Sequence, residues 1–368
     1  MPDKRVVIID ALNTYLRNYI CNPSLTTNGQ PMGGTKGFLG SLQKICRETK
    51  PDRIVIVWDG PGGSQRKRAI NKDYKLGRKP VRFNRRVKLL SEAEEVENKI
   101  WQQTRLIKYL NLMPVTQIMI EGIEADDIIA HVCHRMQGWK KIIVSSDKDF
   151  IQLCDQETLL HRPIQKELLS TKSIIEKYDI SPCNFAMARA IAGDASDNLP
   201  GVPRVGLKTI AKRFPMFKDS IKEVRFEDLY QACVEADSKA KIYENILKYK
   251  EKIETNYKMM QLYSPLISPQ SKYVINEAVF SSKLQFNKTG IYKMMATDGF
   301  GSYDWDPLFL LFRSIVTSEV NSEGPTEICV TCEKDVCQEH PWVEDRQTHQ
   351  IYPVCSEQCK ESYVPLCL

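Results

Sequence analysis

Four short apolar runs, each followed at once by acidic residues, constrain the fold of this chain more than any other feature. They are RVVIIDALN, RIVIVWDGPG, VTQIMIEGIEADD and KKIIVSSDKDF. Each is rich in β-branched residues and bounded by polar or turn residues, as short strands are. Helix-like stretches lie between them at 35–48, 91–110 and 126–136. Strands that alternate with helices predict an α/β fold with a parallel sheet flanked by helices.

The acids that end these runs are expected to lie together, because ligands of open parallel sheets bind outside the carboxyl ends of the strands. A simpler explanation applies to GIEADDIIAHVC, residues 122–133, since acids in a first helical turn favour the positive end of the helix. It does not extend to Asp10 or Asp59, which follow strands. The acids concerned are Asp10, Asp59, Glu124, Asp126, Asp127, Asp147 and Asp149.

A fifth acidic segment, AIAGDASDNLPGVPRVGLKTIAKRF at 190–214, adds Asp194 and Asp197, which can face the same way on a helical turn. Carboxylates this crowded raise one another's pKa, and hard divalent cations relieve the repulsion. Mg²⁺ or Mn²⁺ fits an all-oxygen ligand set best, and the lack of His and Cys at these positions argues against zinc there. Two such ions suit hydrolysis of a phosphodiester.

Residues 66–88, RKRAINKDYKLGRKPVRFNRRVK, hold eleven Lys or Arg and a single acid, Asp73, which is a net charge of +10. A charge run is often no more than a solvated helix face. Its density, directly after an acid-tipped strand, indicates a segment that binds a polyanion. Tyr74 and Phe83 are interpreted either as stacking surfaces for bases or as packing residues.

A second phosphate-binding candidate is LPGVPRVGLKT, residues 199–209. Gly201 and Gly206 bracket a short turn between two helix-like segments, and Lys208 and Thr209 follow. Backbone N–H groups at a helix start can hold a phosphate without reading bases. An ordinary Gly/Pro turn is the alternative interpretation.

The twelve cysteines fall into two groups. Six are scattered singly, as reduced thiols are, and six lie within 329–367. The second group contains a C-x2-C pair and a C-x3-C pair, which together predict a four-thiolate zinc site. Its ligands would be Cys329, Cys332, Cys355 and Cys359, with Cys337 and His340 as spare candidates. A segment this short needs metal to fold.

At 368 residues the chain is expected to form two or more domains. No apolar stretch has membrane-spanning length, and the N-terminal run enters a strand without a signal peptide, so a cytoplasmic protein without a membrane partner is expected. Residues 264–282 are predicted to be a boundary and 283–316 a core-closing segment. The polar stretch 318–327 is predicted to be a linker to a separable zinc module.

Five segments occur in an order that a known family shares. They are IIDALNTYLR, WDGPGGSQRKRAINKDYKLGRKP, GIEADDIIA, SSDKDFIQL and GDASDNLPGVPRVGLKTI, spanning residues 6 to about 214. Together they resemble the flap endonuclease, or 5′-nuclease, family. That family includes the 5′→3′ exonuclease domain of bacterial DNA polymerase I and stand-alone bacteriophage enzymes.

The resemblance implies roles at the matching positions. Lys75 and Arg78 would reach over the site towards the scissile phosphate, Arg17 matches an active-site arginine, and residues 62–100 would form an arch that admits a single-stranded 5′ end. The implied metal ligands are Asp10, Asp59, Glu124, Asp126, Asp127, Asp147, Asp149, Asp194 and Asp197. The implied DNA-contacting residues are Arg66, Lys67, Arg68, Tyr74, Gly201, Val202, Gly206, Lys208 and Thr209.

Two departures from the family pattern lie in the basic segment. Asn71 stands where an aromatic residue is common, which puts stacking there in doubt. Lys67 stands where many members have Arg, which would weaken bidentate phosphate contact.

The resemblance also implies a PIN-like parallel sheet with a helix-hairpin-helix (H3TH-type) DNA-binding subdomain. The hairpin would grip duplex DNA, with K⁺ held by its carbonyls as a further expected ion. The implied division is 1–185 for the catalytic domain, 186–265 for the H3TH-type subdomain, 266–317 for a closing segment, 318–327 for a linker and 328–368 for the zinc module.

The sequence therefore predicts a structure-specific 5′-nuclease that uses two or more Mg²⁺ or Mn²⁺ ions on DNA flaps, nicks and duplex ends, in replication or repair. RNA in RNA–DNA hybrids is a second expected substrate, and the zinc module is expected to contact DNA or a replication-protein partner. The expected location is the bacterial cytoplasm, or an infected host cell if the protein is phage-encoded.

Two alternatives remain at this stage. A PIN-type endoribonuclease would share the acid-tipped sheet but lack the hairpin and the arch. A non-catalytic DNA-junction binder would have lost several of the acids.

Overall fold

The computed structural model describes residues 4–77, 83–236, 240–320, 329, 331, 341–344 and 351–363. Arg78 and Cys332, and the spare candidates Cys337 and His340, lie outside the described residues. The predictions made for those four residues therefore rest on the sequence.

A six-stranded sheet forms the centre of the molecule. Its strand order is β3-β2-β1-β4-β5-β6; β1 to β5 are parallel and β6 is antiparallel to β5. The strands are β1 Arg5–Asp10, β2 Arg53–Val57, β3 Thr116–Ile118, β4 Lys140–Val144, β5 Thr158–Arg162 and β6 Glu167–Leu169. The predicted α/β fold with a parallel sheet flanked by helices is confirmed. The last two strands were not predicted.

The described residues contain fifteen α-helices, several of which pack on the two faces of this sheet. They are α1 Ala11–Cys21, α2 Gly33–Thr49, α3 Gln65–Ile70, α4 Glu92–Leu110, α5 Ala125–Arg135, α6 Thr171–Tyr178, α7 Pro182–Ala192, α8 Leu207–Arg213, α9 Phe226–Glu235, α10 Lys241–Lys248, α11 Lys250–Met260, α12 Pro269–Asn276, α13 Lys288–Asp298, α14 Asp306–Val320 and α15 Glu357–Glu361. The three helices predicted from periodicity appear as α2, α4 and α5.

Two hydrophobic cores sandwich the sheet. Val6 and Ile8 of β1 face a core that includes α5 and α7, while Val7 and Ile9 face a core that includes α1, α2 and α4. Successive side chains of a strand point to opposite faces, so a strand buried on both sides is a continuous apolar run. Residues of α13 and α14 pack into the second core, as a closing segment would.

A two-stranded ribbon, β7 Gly193–Asp194 and β8 Leu199–Pro200, joins α7 to α8. Directly after β8 the backbone passes so close to the end of α7 that a Cβ on Gly201 would lie 2.2 Å from the carbonyl oxygen of Ala192. Only glycine fits at this point. The ribbon therefore sets the direction in which the chain enters α8.

The chain after α14 departs from the sequence-based prediction. Residues 318–320, expected in the linker, belong to α14. The described part of the tail contains β9 Trp342–Glu344, antiparallel to β10 Ile351–Pro353, and α15. It packs on α12 through Tyr352 and Tyr363. The separable zinc module at 328–368 stays a prediction from the sequence. Within the described chain no helix is long and apolar enough to cross a bilayer.

Candidate metal centre

Asp10 ends β1 at the middle of the sheet. It is the N-cap of α1, where its carboxylate accepts from the backbone N–H of Asn13 at 3.2 Å, and the hydroxyl of Ser145, just after β4, donates to it at 2.8 Å. Burial, reinforced by the neighbouring charge of Asp59, raises the pKa of Asp10 to about 7. A buried carboxyl held in this way is placed to exchange its proton for a cation.

Asp59 follows β2 and reaches across to α5. Its carboxylate accepts from the backbone N–H of Ala125 at 2.9 Å, which is the first residue of that helix. Burial raises the pKa of Asp59, and the charges of Asp126 and Glu124 add to the effect. The ends of β1, β2 and α5 are thereby brought to one place.

The acids at the start of α5 had two interpretations, stabilisation of the helix start and metal binding, and their contacts distinguish the two. Glu124 occupies the N-cap position, but in the described structure its side chain makes no capping bond. Its carboxylate instead accepts from Lys67, Lys75 and Tyr74, while Asp126 accepts the N–H of Asp127 at 2.8 Å. Stabilising the helix start therefore accounts for Asp126 in part and does not account for Glu124.

Lys67 of α3 supplies a buried cation among these acids. Its Nζ lies 2.8 Å from Glu124 Oε2, 2.9 Å from Asp126 Oδ2 and 3.6 Å from Asp127 Oδ2. Burial alone lowers the pKa of Lys67, but the three carboxylates outweigh it and hold that pKa well above its usual value. The ammonium stands where a cation bridging three carboxylates would stand.

Asp126 and Asp127 have pKa values that are shifted in opposite directions, although Lys67 lowers both. Burial raises the pKa of Asp126, but Lys67 and Lys75 outweigh burial and lower it. Burial and the charge of Asp126 raise the pKa of Asp127 to about 7. One oxygen atom from each of Glu124, Asp126 and Asp127 lies within 4.8 Å of the others, a spacing that suits a metal ion.

A second group of acids surrounds Arg189 of α7. Its guanidinium pairs with Asp149 at 3.0 Å and with Asp194. Burial raises the pKa of Asp149 to about 7, with Asp147 as the next cause, whereas the hydrogen bonds of Ser196 and the charge of Arg189 outweigh burial and lower the pKa of Asp194. Asp197 also repels Asp149.

These contacts join the acids of five segments into one electrostatic network. Asp10 interacts with Asp59 and Asp147, Asp59 with the acids of α5, and Asp149 with the ribbon acids and Asp147. All nine acids named from the sequence belong to it. The donor set is entirely carboxylate, which fits hard divalent cations better than zinc.

The cations named from the sequence have different surroundings. Lys75 has a left-handed backbone, with φ of 56°, and its N–H donates to the carbonyl of Asp197 at 2.9 Å, while its ammonium contacts Glu124. Within the described chain Arg17 forms no ion pair with the network. It lies near His161, whose pKa is lowered mainly by burial, with Arg17 as a minor further cause.

Three residues named as DNA-contacting are buried in this structure. Tyr74 is 2 % exposed, packs against Leu199 and Met260, and donates its hydroxyl to Glu124 at 3.1 Å. Val202 is 3 % exposed and its N–H donates to the carbonyl of Ile191 at 2.8 Å. Neither side chain faces solvent, so both act as packing residues in this structure, and DNA contact by them stays a prediction from the sequence.

Lys67 is the third of these residues. It is 4 % exposed, so in this structure it faces the acids and not a DNA surface. The remaining DNA-contacting candidates are at least partly exposed: Arg66, Arg68, Gly201, Gly206, Lys208 and Thr209. Arg66 donates to the carbonyl of Leu266 at 2.9 Å and Arg68 to that of Tyr74 at 3.3 Å, which anchors α3.

Sequence reasoning missed Arg189 and Ser145. Arg189 is a single cation in the apolar helix sequence PCNFAMARAIA, and only its position five residues before Asp194 could have indicated it. Ser145 directly precedes the serine-aspartate pair that follows β4 and is a plausible polar strand-end residue on that ground alone. Both hold network acids in place.

Three cysteines of the tail form a separate cluster. The Sγ atoms of Cys329, Cys355 and Cys359 lie within 4.8 Å of one another, and those of Cys355 and Cys359 are 3.5 Å apart. Cys359 lies on α15, whose N-cap Ser356 accepts from the N–H of Cys359 at 3.2 Å. Three of the four predicted ligands thus share one small volume.

The chain is similar to known proteins in sequence and in fold. A family model described as 5′-3′ exonuclease, N-terminal resolvase-like domain, matches residues 5–179. The 5′-3′ exonuclease of Buchnera aphidicola subsp. Schizaphis graminum is 30% identical over 246 residues, which is 63% of this chain and 80% of that protein. The chain belongs to the 5′-3′ exonuclease family. The predicted family of 5′-nucleases is thereby confirmed.

Other relatives agree with this assignment. The 5′-3′ exonuclease of Aquifex aeolicus is 28% identical over 270 residues, covering 72% of this chain and 83% of that protein. The solved structure of the bacteriophage T5 5′-exonuclease with divalent metal ions bound has a TM-score of 0.57 at 16% identity, over 84% of this chain and 100% of that one. At this identity the likeness shows a shared fold.

Proposed function

We propose that this chain is a divalent-metal-dependent, structure-specific 5′-nuclease that hydrolyses phosphodiesters at DNA 5′ ends and flaps in replication or repair. The observation that carries the proposal is the convergence of nine carboxylates from five segments at one edge of the sheet. Acids gathered in this way repel one another, and cations bound between them would offset that repulsion. The family assignment supports the same activity.

The proposed ions are two or more Mg²⁺ or Mn²⁺. One group of acids gathers around Lys67 and the other around Arg189, which supports more than one ion position. Ions bound there would stabilise the charge that develops on the attacking and leaving oxygens of a phosphodiester. The nine proposed ligands are Asp10, Asp59, Glu124, Asp126, Asp127, Asp147, Asp149, Asp194 and Asp197.

Lys75 is the proposed electrostatic partner of the scissile phosphate. Its backbone is fixed to the ribbon through Asp197, and its ammonium lies beside Glu124 at the edge of the acid network. A fixed cation aimed at a transferring phosphate stabilises the charge of the transition state. Arg78 and Arg17 remain predicted partners of the same phosphate on the basis of the sequence motifs.

Duplex binding is assigned to the ribbon and α8. Gly206 is the exposed N-cap of that helix, and Lys208 and Thr209 follow in its first turn. This arrangement supports the proposed H3TH-type subdomain at 186–265, with K⁺ as its proposed ion, and backbone contacts there would not read sequence. The proposed arch is 62–100, the catalytic domain 1–185 and the closing segment 266–317.

The tail is proposed to hold one structural zinc. Three Sγ atoms within 4.8 Å of one another supply three ligands of a tetrahedral site, and Cys332 is the predicted fourth because it completes the C-x2-C pair with Cys329. Thiolates suit zinc, in contrast to the all-oxygen network of the sheet. A replication protein is a proposed partner of this zinc module.

A panel of 5′-labelled substrates tests the proposed activity. We expect Mg²⁺-dependent release of a 5′ fragment from a flap and from a nicked duplex, and EDTA should abolish it. An RNA–DNA hybrid in the same panel measures the second proposed substrate. Binding of all substrates without cleavage in Mg²⁺ or Mn²⁺ would indicate a non-catalytic junction binder, and cleavage confined to RNA would indicate an endoribonuclease.

A further inference from the structure

In the zinc module, the residues that contact the rest of the protein lie close in sequence to the predicted zinc ligands. Tyr352 precedes Cys355 by three residues, and Tyr363 follows Cys359 by four. Cys329, Tyr352 and Val354 form a small buried cluster with Tyr363 and the two later cysteines packed around it. The core formed by the described residues of the tail is small, and small modules with clustered cysteines commonly need metal to fold, so we expect the ordering of the two tyrosines to depend on the metal.

Both tyrosines contact helix α12. The rings of Tyr352 and Tyr273 meet edge to face with centroids 5.2 Å apart, and Gln270 donates to the hydroxyl of Tyr363 at 2.8 Å. Gln270 and Tyr273 are three residues apart and therefore share one face of the helix. Edge-to-face pairing and a partly buried hydrogen bond are features of a specific interface.

The next turn of α12 contacts α5. Asn276 bonds through Oδ1 to Nε2 of His131 at 3.1 Å, and both side chains are buried. His131 lies four residues after Asp127, so the two side chains are neighbours on one face of α5. Helix α12 thus contacts the helix whose start carries three acids of the metal network.

We propose that the zinc module is a docked brace: its thiolate-bound zinc holds Tyr352 and Tyr363 against α12, and α12 holds α5 in position. This inference rests on the proposed zinc centre and is independent of which nucleic acid the enzyme cuts. It assigns to the tail a structural connection to the nuclease site through one helix.

Hydrogen exchange of the full-length protein tests the brace. Purified protein is kept in excess Mg²⁺ and treated with a zinc-selective chelator, and metal content is measured alongside. Zinc removal should raise exchange in 351–363, in α12 and in the second half of α5, with protection in α12 falling on the order of tenfold or more. Helix α9, which lies away from these contacts, should not change.

The variant Tyr273→Ala separates docking from zinc binding. It leaves every cysteine in place, so the protein should retain zinc while α12 loses protection to the extent that chelation causes. Treating this variant with the chelator should then cause little further increase in hydrogen exchange in α12. Tyr292→Ala, which removes a partly exposed ring that packs on Phe309, is the matched control and should leave α12 unchanged.

Two results would overturn the brace. If zinc leaves and 351–363 becomes unprotected while α12 keeps its protection, the module is only tethered. If Tyr273→Ala leaves α12 as protected as the wild type, the aromatic contact does not hold the helix. A different pair of results would refute the zinc centre itself: no zinc in the protein after metal-replete expression, and no effect of Cys355→Ser on hydrogen exchange. None of these outcomes tests Mg²⁺-dependent flap cleavage, which is measured separately.

Discussion

Replacing Lys67 by Met should destabilise the metal-free protein and make its stability depend strongly on divalent ions. At an effective dielectric constant of about 20, each contact near 2.8 Å corresponds to roughly 6 kcal/mol of attraction. Most of that offsets the cost of burying the charges, and removing one partner of a buried ion pair typically costs about 3–5 kcal/mol. Three carboxylates would lose their shared counter-ion, so we expect a loss within that range.

Divalent ions should reduce this loss, because Met leaves the space among the acids open to a cation. An ion present at about 100 times its dissociation constant stabilises the folded state by roughly 2.7 kcal/mol. Urea unfolding of wild type and variant, in EDTA and in millimolar Mg²⁺, measures the four free energies of unfolding. In wild type an ion must first displace the ammonium of Lys67, so the variant should gain more from Mg²⁺ and the difference between the proteins should shrink by about 2 kcal/mol.

Lys293→Met is the matched control, since Lys293 is an exposed lysine of α13. Its effect should stay within about 0.5 kcal/mol in either buffer. The reasoning is refuted if Lys67→Met loses the same free energy with and without Mg²⁺, since Lys67 would then act as a packing residue. It is equally refuted if the variant is as stable as wild type in EDTA.

Three further predictions concern catalysis and pH. Asp147→Asn should lower single-turnover flap cleavage on the order of 10²-fold or more while fluorescence anisotropy shows unchanged DNA affinity; near-normal turnover in Mg²⁺ would contradict its role. Lys75→Ala should lower the cleavage rate to a similar degree and the affinity much less; an effect on affinity alone would make Lys75 a surface anchor. Because the pKa values of Asp10 and Asp149 are raised to about 7, the metal-free fold holds protons between about pH 4 and 7 that the unfolded chain has lost. Its stability should fall as pH rises through that window, and calorimetry should show Mg²⁺ affinity rising up to about pH 7; an affinity that is flat from pH 5 to 8 would refute the assignment.

The parallel sheet and the site at its edge could be predicted because they depend on local patterns. A β-branched run followed by Asp predicts a strand end wherever it occurs, and the parallel order brings several such ends together. Asp10, Asp59 and Asp147 were found in this way. The last two strands, β5 and β6, were missed because TLLHR has no β-branched apolar residue and mixes in polar ones, and ELL is only three residues long.

Side-chain partners across the fold could not be read from the sequence. Lys67 and Tyr74 were counted with a basic, exposed segment, but α3 and the turn after it bring their side chains onto the acids at the start of α5. Val202 lies in a glycine-rich turn, yet the close crossing at Gly201 points it into the core. The docking of the tail on Tyr273 likewise depends on a contact between segments about 80 residues apart, which no local pattern specifies.

Anomalous scattering from crystals grown with Mn²⁺ tests the central claim most directly, that the sheet-edge carboxylates hold the ions used for cleavage. The account predicts at least one strong Mn²⁺ peak among Asp10, Asp59, Glu124 and Asp126, with the ammonium of Lys67 displaced from its three carboxylates. Crystals in EDTA should show Lys67 in the position described above. No anomalous density at the carboxyl edge of the sheet, with Lys67 unmoved at saturating Mn²⁺, would contradict it.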